Sequence, residues 1–434
     1  MRWRPSISWR LLADVRPDET SAVLWAMLYV ITLFLAYYVL RPIRDELGVA
    51  SGIDNLSWLF AGTILVMLVA TPLFALAVRS LTRRQFVALS YRFFSANLVM
   101  FAGLLQFAPS QWQIWIGRTF FIWVSVFNLF VVSVFWSLMV DLFDSQQSKR
   151  LFGLLAAGAT IGGILGSAIT TSLVVHLDRI WLMAVATIFL ELAVLASRRL
   201  TRITPTLQPE IFQKQAEQPI GGGILSGMVH TLRSPYLGGL ALFILLYSVT
   251  STFLYFQQAN IAQASFPDNR ARIAFFANID LVVNVITLFL QVFLTGRFIQ
   301  RFGIVVTLCV LPLVSLMGFM ALAASSSVIV VVVAQVARRV ANFAFARPAR
   351  EILFTSSDRQ DRYKAKNFID TVVYRGGDQV ASWSYTGLAG LGLTLGQIPL
   401  IAVPLSVAWL GLSIWLGRTH HAKQQRITAQ LASE

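Results

Sequence analysis

Residues 296–303 read GRFIQRFG, and about 217 positions earlier residues 79–86 read RSLTRRQF, so Arg297 and Arg301 fall opposite Arg79 and Arg83. One basic turn in an apolar chain says little; the same turn twice at a fixed offset points to a duplicated chain. The offset recurs. MVDLFDSQQSKRLFG (139–153) falls opposite REILFTSSDRQDRYKAKNF (350–368), which aligns Arg150 with Lys366 and Phe152 with Phe368, and Tyr38 falls opposite Tyr255.

The duplicated material is membrane material. Of the 434 residues 56% are hydrophobic and only 13% charged, with a mean hydropathy of +0.68, too little polar surface to cover a water-soluble core. Apolar runs of spanning length are expected at 21–40, 57–78, 85–107, 114–140, 151–175, 180–197, 236–259, 273–295, 303–323, 326–346, 367–394 and 397–416. The basic N-terminus, MRWRPSISWRLLADVRPDETSA, reads as uncleaved. The lone Cys309 excludes an intrachain disulfide, and no His/Cys spacing suits a metal. The four histidines are expected at the surface, in loops or the tail.

Charge is distributed unevenly between alternate connections. They hold 27 of the 35 Lys and Arg residues on one side and five, Arg41, Arg44, Arg179, Arg270 and Arg272, on the other. By the positive-inside bias both termini are cytoplasmic, and the net charge of +15 is an orientation signal rather than a nucleic-acid footprint. The expected organisation is a six-helix half (1–198), a cytoplasmic linker (199–235), a second six-helix half (236–418) and a cytoplasmic tail (419–434). Two parallel six-helix repeats with basic turns after the second and eighth spans are the layout of the major facilitator superfamily fold. GRFIQRFG resembles that superfamily's G-x-x-x-D-R-x-G turn, with Gln300 at the acidic position.

Ionisable groups inside spans cost about 2.5–3.5 kcal/mol each and persist where they face a cavity or a partner. Asp280 and Asn284 share a face of the eighth span; Arg375 and Asp378 are i, i+3 neighbours in the eleventh. Arg118 and Asp141 mark the two ends of the fourth. Arg92 and Glu191 are read as snorkelling residues. FLAYYVLRPIRDEL (34–47) places Arg41, Arg44, Asp45 and Glu46 around Pro42, read as a helix break, on the side where basic residues are scarce; ARPARE (346–351) repeats the pattern with Arg347 and Arg350. Guanidinium pairs suit an anion through bidentate, charge-assisted bonds. Gly158, Gly162 and Gly166 in the fifth span permit close helix packing. A Walker loop, G-x-S-x-G and H-E-x-x-H are all missing from the sequence, which argues against ATP hydrolysis and against an intramembrane enzyme.

VRPDETSAVLWAMLYVITLFLAYYVLRPIRDELGVASG (15–52) and VFWSLMVDLFDSQQSKRLFGLLAAGATIGGILGS (134–167) resemble the bacterial branch of the ATP/ADP translocase (nucleotide transporter) family. The resemblance implies twelve helices, alternating access and nucleotide exchange in a bacterial inner membrane. The expectation is a monomeric secondary transporter without cofactor, for an anionic or phosphorylated small molecule. Candidate ligands are Arg41, Arg44, Arg118, Arg347, Arg350 and Arg375; candidate coupling or gating carboxylates are Asp45, Glu46, Asp141, Asp280 and Asp378. Two alternatives stand beside it, a proton-coupled exporter of amphipathic compounds and a non-transporting membrane sensor or assembly partner.

Overall fold

A computed structural model of the chain describes residues 15–17, 19–80, 83–203, 231, 234–354, 365–366 and 368–433. All regular structure among them is helical. The first run comprises α1 (Thr20–Ala50), α2 (Leu56–Ser80), α3 (Arg83–Phe107), α4 (Ser110–Leu142), α5 (Ser145–Leu173) and α6 (Arg179–Ile203). The second comprises α7 (Pro235–Ser265), α8 (Asn269–Leu290), α9 (Gly296–Ala324), α10 (Val328–Ala341), α11 (Arg347–Phe354), α12 (Tyr374–Gly390) and α13 (Ile398–Ser433). Single π-turns at Gln291–Thr295, Asn342–Ala346 and Ile369–Val373 lead into α9, α11 and α12. Most of the expected 199–235 linker lies outside the described residues.

Among the described residues, ten helical stretches are long and apolar enough to cross a bilayer, so the chain is a multi-pass membrane protein. The expected count was twelve, and two places account for the difference. Asn269–Ala324 is continuous through its π-turn and contains two expected spans, the chain turning at Gly303, whose φ of 76° suits glycine. The eleventh expected span is helical but carries Asp370, Arg375 and Asp378, too polar to qualify by composition.

Helix ends follow local chemistry. Asp144 caps α5 by accepting from the amides of Gln146 and Gln147, while the Gln147 side chain accepts from the Asp144 amide, closing a capping box. Ser234 and Ser327 cap α7 and α10, and Pro235 sits in the first turn of α7, where its missing N–H costs nothing. Within the spans Thr32, Thr63 and Thr170 return their hydroxyls to the carbonyl four residues back, which pairs these three inside their own helices.

One expectation about α1 is corrected. The helix runs through Pro42 to Ala50, so the proline does not break it. Proline forfeits a single hydrogen bond, and the seven residues after it are buried or half-buried, so packing holds the last turns helical. Arg41, Arg44, Asp45 and Glu46 are therefore helical residues and not loop residues. A second correction concerns His420, expected at the surface. It is buried in α13, with its Nδ1 3.2 Å from the Tyr236 hydroxyl, because α13 continues as a helix past the apolar run and packs on the start of α7.

The described residues cluster into two compact units. One is drawn from Met1–Gly48, Leu65–Gln218 and Asp268–Leu281, the other from Val49–Ile64, Pro219–Pro267 and Val282–Glu434. In the first, Tyr29, Phe94, Phe127 and Phe135 build an aromatic core, and Tyr29 and Tyr91 share a hydroxyl bond. There α5 meets α1 through its glycines: a methyl at Gly162 or Gly166 would overlap the carbonyl oxygens of Ile31 or Leu35. In the second unit Phe243, Leu308, Leu311 and Trp409 form the core, and a methyl at Gly377 of α12 would press on Ser248 and Leu245 of α7.

Ahead of α1, Glu19 accepts from the Arg16 amide (3.2 Å), the Gln147 amide group (3.0 Å) and Arg150 (2.8 Å). Burial pushes this carboxyl up, but the bonds from Arg150, Gln147 and Arg16 outweigh it and hold the group below the usual carboxylate range. A depressed folded pKa gives stability that is complete above the ordinary value of 4.5 and is lost as pH falls through the folded value. Acidification from about pH 5 is thus expected to lower the unfolding midpoint more steeply for the wild type than for Glu19→Gln. Gly162→Ala is expected to cost about 1–3 kcal/mol through overpacking. Gly153→Ala, with open space around it, should leave the thermal midpoint in detergent unchanged or raised.

Candidate functional site

The last turns of α1 carry the first group of candidates, and all its partners lie within the first unit. The Arg41 guanidinium sits 3.2 Å from the Asp280 carboxylate of α8 and over the Tyr38 ring, 5.8 Å from its centroid. Arg44 donates from Nε (3.0 Å) and Nη2 (2.6 Å) to its neighbour Asp45, and lies over Phe121 of α4 at 4.8 Å. Glu46, only 1% exposed, receives Arg272 of α8 at 2.8 Å and Arg179 of α6 at 3.5 Å. Arg270 pairs with Asp178 at the more open margin. All five arginines of the sparsely basic connections are thereby matched to carboxylates. A buried ion is tolerated only when paired, and the planar guanidinium meets a carboxylate with more than one N–H.

Two further candidates of this unit stand on α4. Arg118 stacks on Trp115 at 4.7 Å, beside Gly117, which abuts Leu47 of α1. Asp141 is half-buried in the last turn. Twenty-three residues of helix put roughly 34 Å between them, so they form no common site.

The second group surrounds α7 in the second unit. Asp378 of α12 is buried and accepts from the hydroxyls of Ser248 and Thr252 (3.1 Å), with Arg375 at 3.8 Å one turn back. Arg338 of α10 is 2% exposed; it donates to the Tyr247 carbonyl (2.8 Å) and the Thr250 hydroxyl (3.1 Å) and lies 5.0 Å from the Tyr247 ring centroid. Asn342 donates to the Tyr247 hydroxyl at 3.1 Å, and the rings of Tyr247 and Tyr374 are 5.9 Å apart. The remaining candidates of this unit do not join the group through any of these bonds. Arg347 is exposed, and Arg350 lies 3.6 Å from Asp370.

Arg338 is the member that sequence reading passes over, because it sits in a basic cluster that orientation explains. A signal was present. Val331, Ala334, Gln335 and Arg338 fall on one helical stripe, and all are buried. Arg179 and Arg272 were visible only as basic residues on the wrong side. Their shared partner Glu46 depends on three helices meeting, which spacing within one helix does not encode.

No protein-family model matches the chain. Weak but consistent homology connects it to ADP,ATP carrier protein 1 of Chlamydia trachomatis serovar D, 22% identical over 359 residues that cover 74% of this chain and 67% of that protein. The protein of the same name from Chlamydia muridarum is 21% identical over the same coverage. Among solved structures, a POT family transporter in complex with a thioalcohol-conjugated peptide has a TM-score of 0.64 at 10% identity, covering 91% of this chain and 96% of that one. A bacterial homologue of the human lysosomal transporter Spinster, inward-facing and unoccupied, has a TM-score of 0.53 at 14% identity, with 95% and 98% coverage. The chain therefore has the major facilitator superfamily fold.

Removing the charge of Glu46 leaves two largely buried guanidiniums uncompensated. Glu46→Gln is expected to cost about 3–5 kcal/mol, whereas Asp178→Asn, at an exposed pair, should cost no more than about 1 kcal/mol; thermal unfolding in detergent measures both.

Proposed function

We propose that the protein is a secondary active transporter that moves an anionic, phosphorylated small molecule of the nucleotide class across a bacterial inner membrane by alternating access, with both termini cytoplasmic. The observation that carries the reading is the group around α7. Two arginines and one carboxylate, Arg338 of α10 with Arg375 and Asp378 of α12, gather against the spanning helix α7, a setting in which ionisable groups persist for substrates or coupling. Arg375 is the partly exposed member, and its carboxylate contact is loose at 3.8 Å. It is the group best placed to exchange Asp378 for a phosphate oxygen. Arg338 holds the wall of the site through Tyr247.

The names of the relatives, ADP,ATP carrier proteins, support the substrate class, and the structural neighbours support the transport mode. In the two-half reading, α1 and α8 belong to different halves. The pairs Arg41–Asp280 and Glu46–Arg272 are then the bonds that must part when that end opens. Arg44 with Asp45 would stiffen the end of α1.

Purified protein in liposomes loaded with ADP should exchange labelled ATP or ADP. Arg375→Gln should lower that exchange about tenfold or more, the worth of one charge-assisted bond, while Arg270→Gln stays near the wild-type rate. Liposomes that exchange no labelled nucleotide or phosphate ester would overturn the reading.

A further inference from the structure

The seam of α3 and α6 carries a charge pair outside both groups described above. Arg92 Nε lies 3.9 Å from Glu191 Oε2, with the two side chains 57% and 43% exposed. Glu191 is the middle residue of α6, about 18 Å from either end, and Arg92 is about 13 Å into α3. The surrounding surface is apolar. Leu89, Phe93, Ile188, Leu192 and Leu195 are all exposed around the pair.

Snorkelling explains half of this at most. A long arginine stem carries its head toward an interface, but a glutamate at the centre of a spanning helix has no such reach. An open charge at that depth is costly against lipid, and a single contact at the limit of an ion pair compensates it weakly. A surface of this composition calls for a polar partner inside the membrane. The patch is also self-complementary: positive and negative lie side by side, so a two-fold rotation sets Arg92 against the second copy's Glu191 and the reverse. Ala96, exposed one turn after Arg92, keeps the approach of a second backbone open.

We propose that the α3/α6 face is the docking surface for a second copy of this chain, the two joined within the membrane by a four-charge cluster of both Arg92 and both Glu191 side chains. The arrangement replaces the monomer expected from the sequence.

Subunit counting by single-molecule photobleaching of the full-length protein in synthetic phosphatidylcholine bilayers, over a range of protein-to-lipid ratios, tests it. The wild type should dimerise. Arg92→Glu and Glu191→Arg, each alone, should raise the dissociation constant at least about tenfold, because like charges then face each other. An equal mixture of the two variants should form heterodimers, and the doubly exchanged protein should dimerise like the wild type. Ala96→Trp, which leaves the charges in place, should abolish dimers while the thermal midpoint stays unchanged, and it serves if the charge variants fold poorly. Single subunits at every ratio for the wild type, the outcome if a lipid or a foreign helix covers the patch, would overturn the proposal. So would dimers indifferent to charge reversal, or a mixture that fails to pair.

Discussion

Glu46 between two arginines is the interaction on which the first unit turns. A carboxylate at 1% exposure would be untenable alone, and each guanidinium beside it would be equally costly without it. Three helices, α1, α6 and α8, must therefore bring their ends to one point. The neighbouring bond from Arg41 to Asp280 fixes α1 against α8 a second time, about a turn and a half earlier in α1. Charge here does what apolar packing cannot. It specifies which helix ends meet, because only one register satisfies every carboxylate.

Backbone contact sets the other constraint. Between lipid-exposed helices there is little hydrophobic driving force, so close approach and dispersion decide the packing. Gly158, Gly162 and Gly166 give α5 a smooth face onto α1, and Gly377 does the same for α12 on α7. The two contacts stand at nearly the same place in the duplicated chain. A glycine face lacks interlocking side chains and permits two helices to slide, whereas an ion pair at the helix ends resists it. A carrier needs both.

Periodic and compositional signals were legible in the sequence: the apolar spans, the duplicated turn and the glycine spacing of α5. The Arg375–Asp378 pair was legible too, since i, i+3 residues of one helix must be neighbours. What failed to show was tertiary. Pro42 reads locally as a stop, yet the helix continues because the turns beyond it are packed. His420 reads as tail, yet Tyr236, 184 positions away in sequence, takes it into the protein. Arg338 was masked by an explanation that sufficed for its neighbours. Orientation accounts for a basic cluster as a whole, and only helical phase separates the buried member from the exposed ones.

The two charged groups share one imbalance. Glu46 serves Arg179 and Arg272, and Asp378 has Arg375 as its ion-pair partner with Arg338 held beside it on α7. Each group holds one more guanidinium than carboxylates, five against four around α1 and two against one around α7, which leaves about one positive charge uncompensated in a low-dielectric setting. Such an excess repels a cationic substrate and attracts an anion. On the proposed reading, an anion that takes Asp378's place on Arg375 neutralises that excess and leaves the carboxylate to the Ser248 and Thr252 hydroxyls of α7.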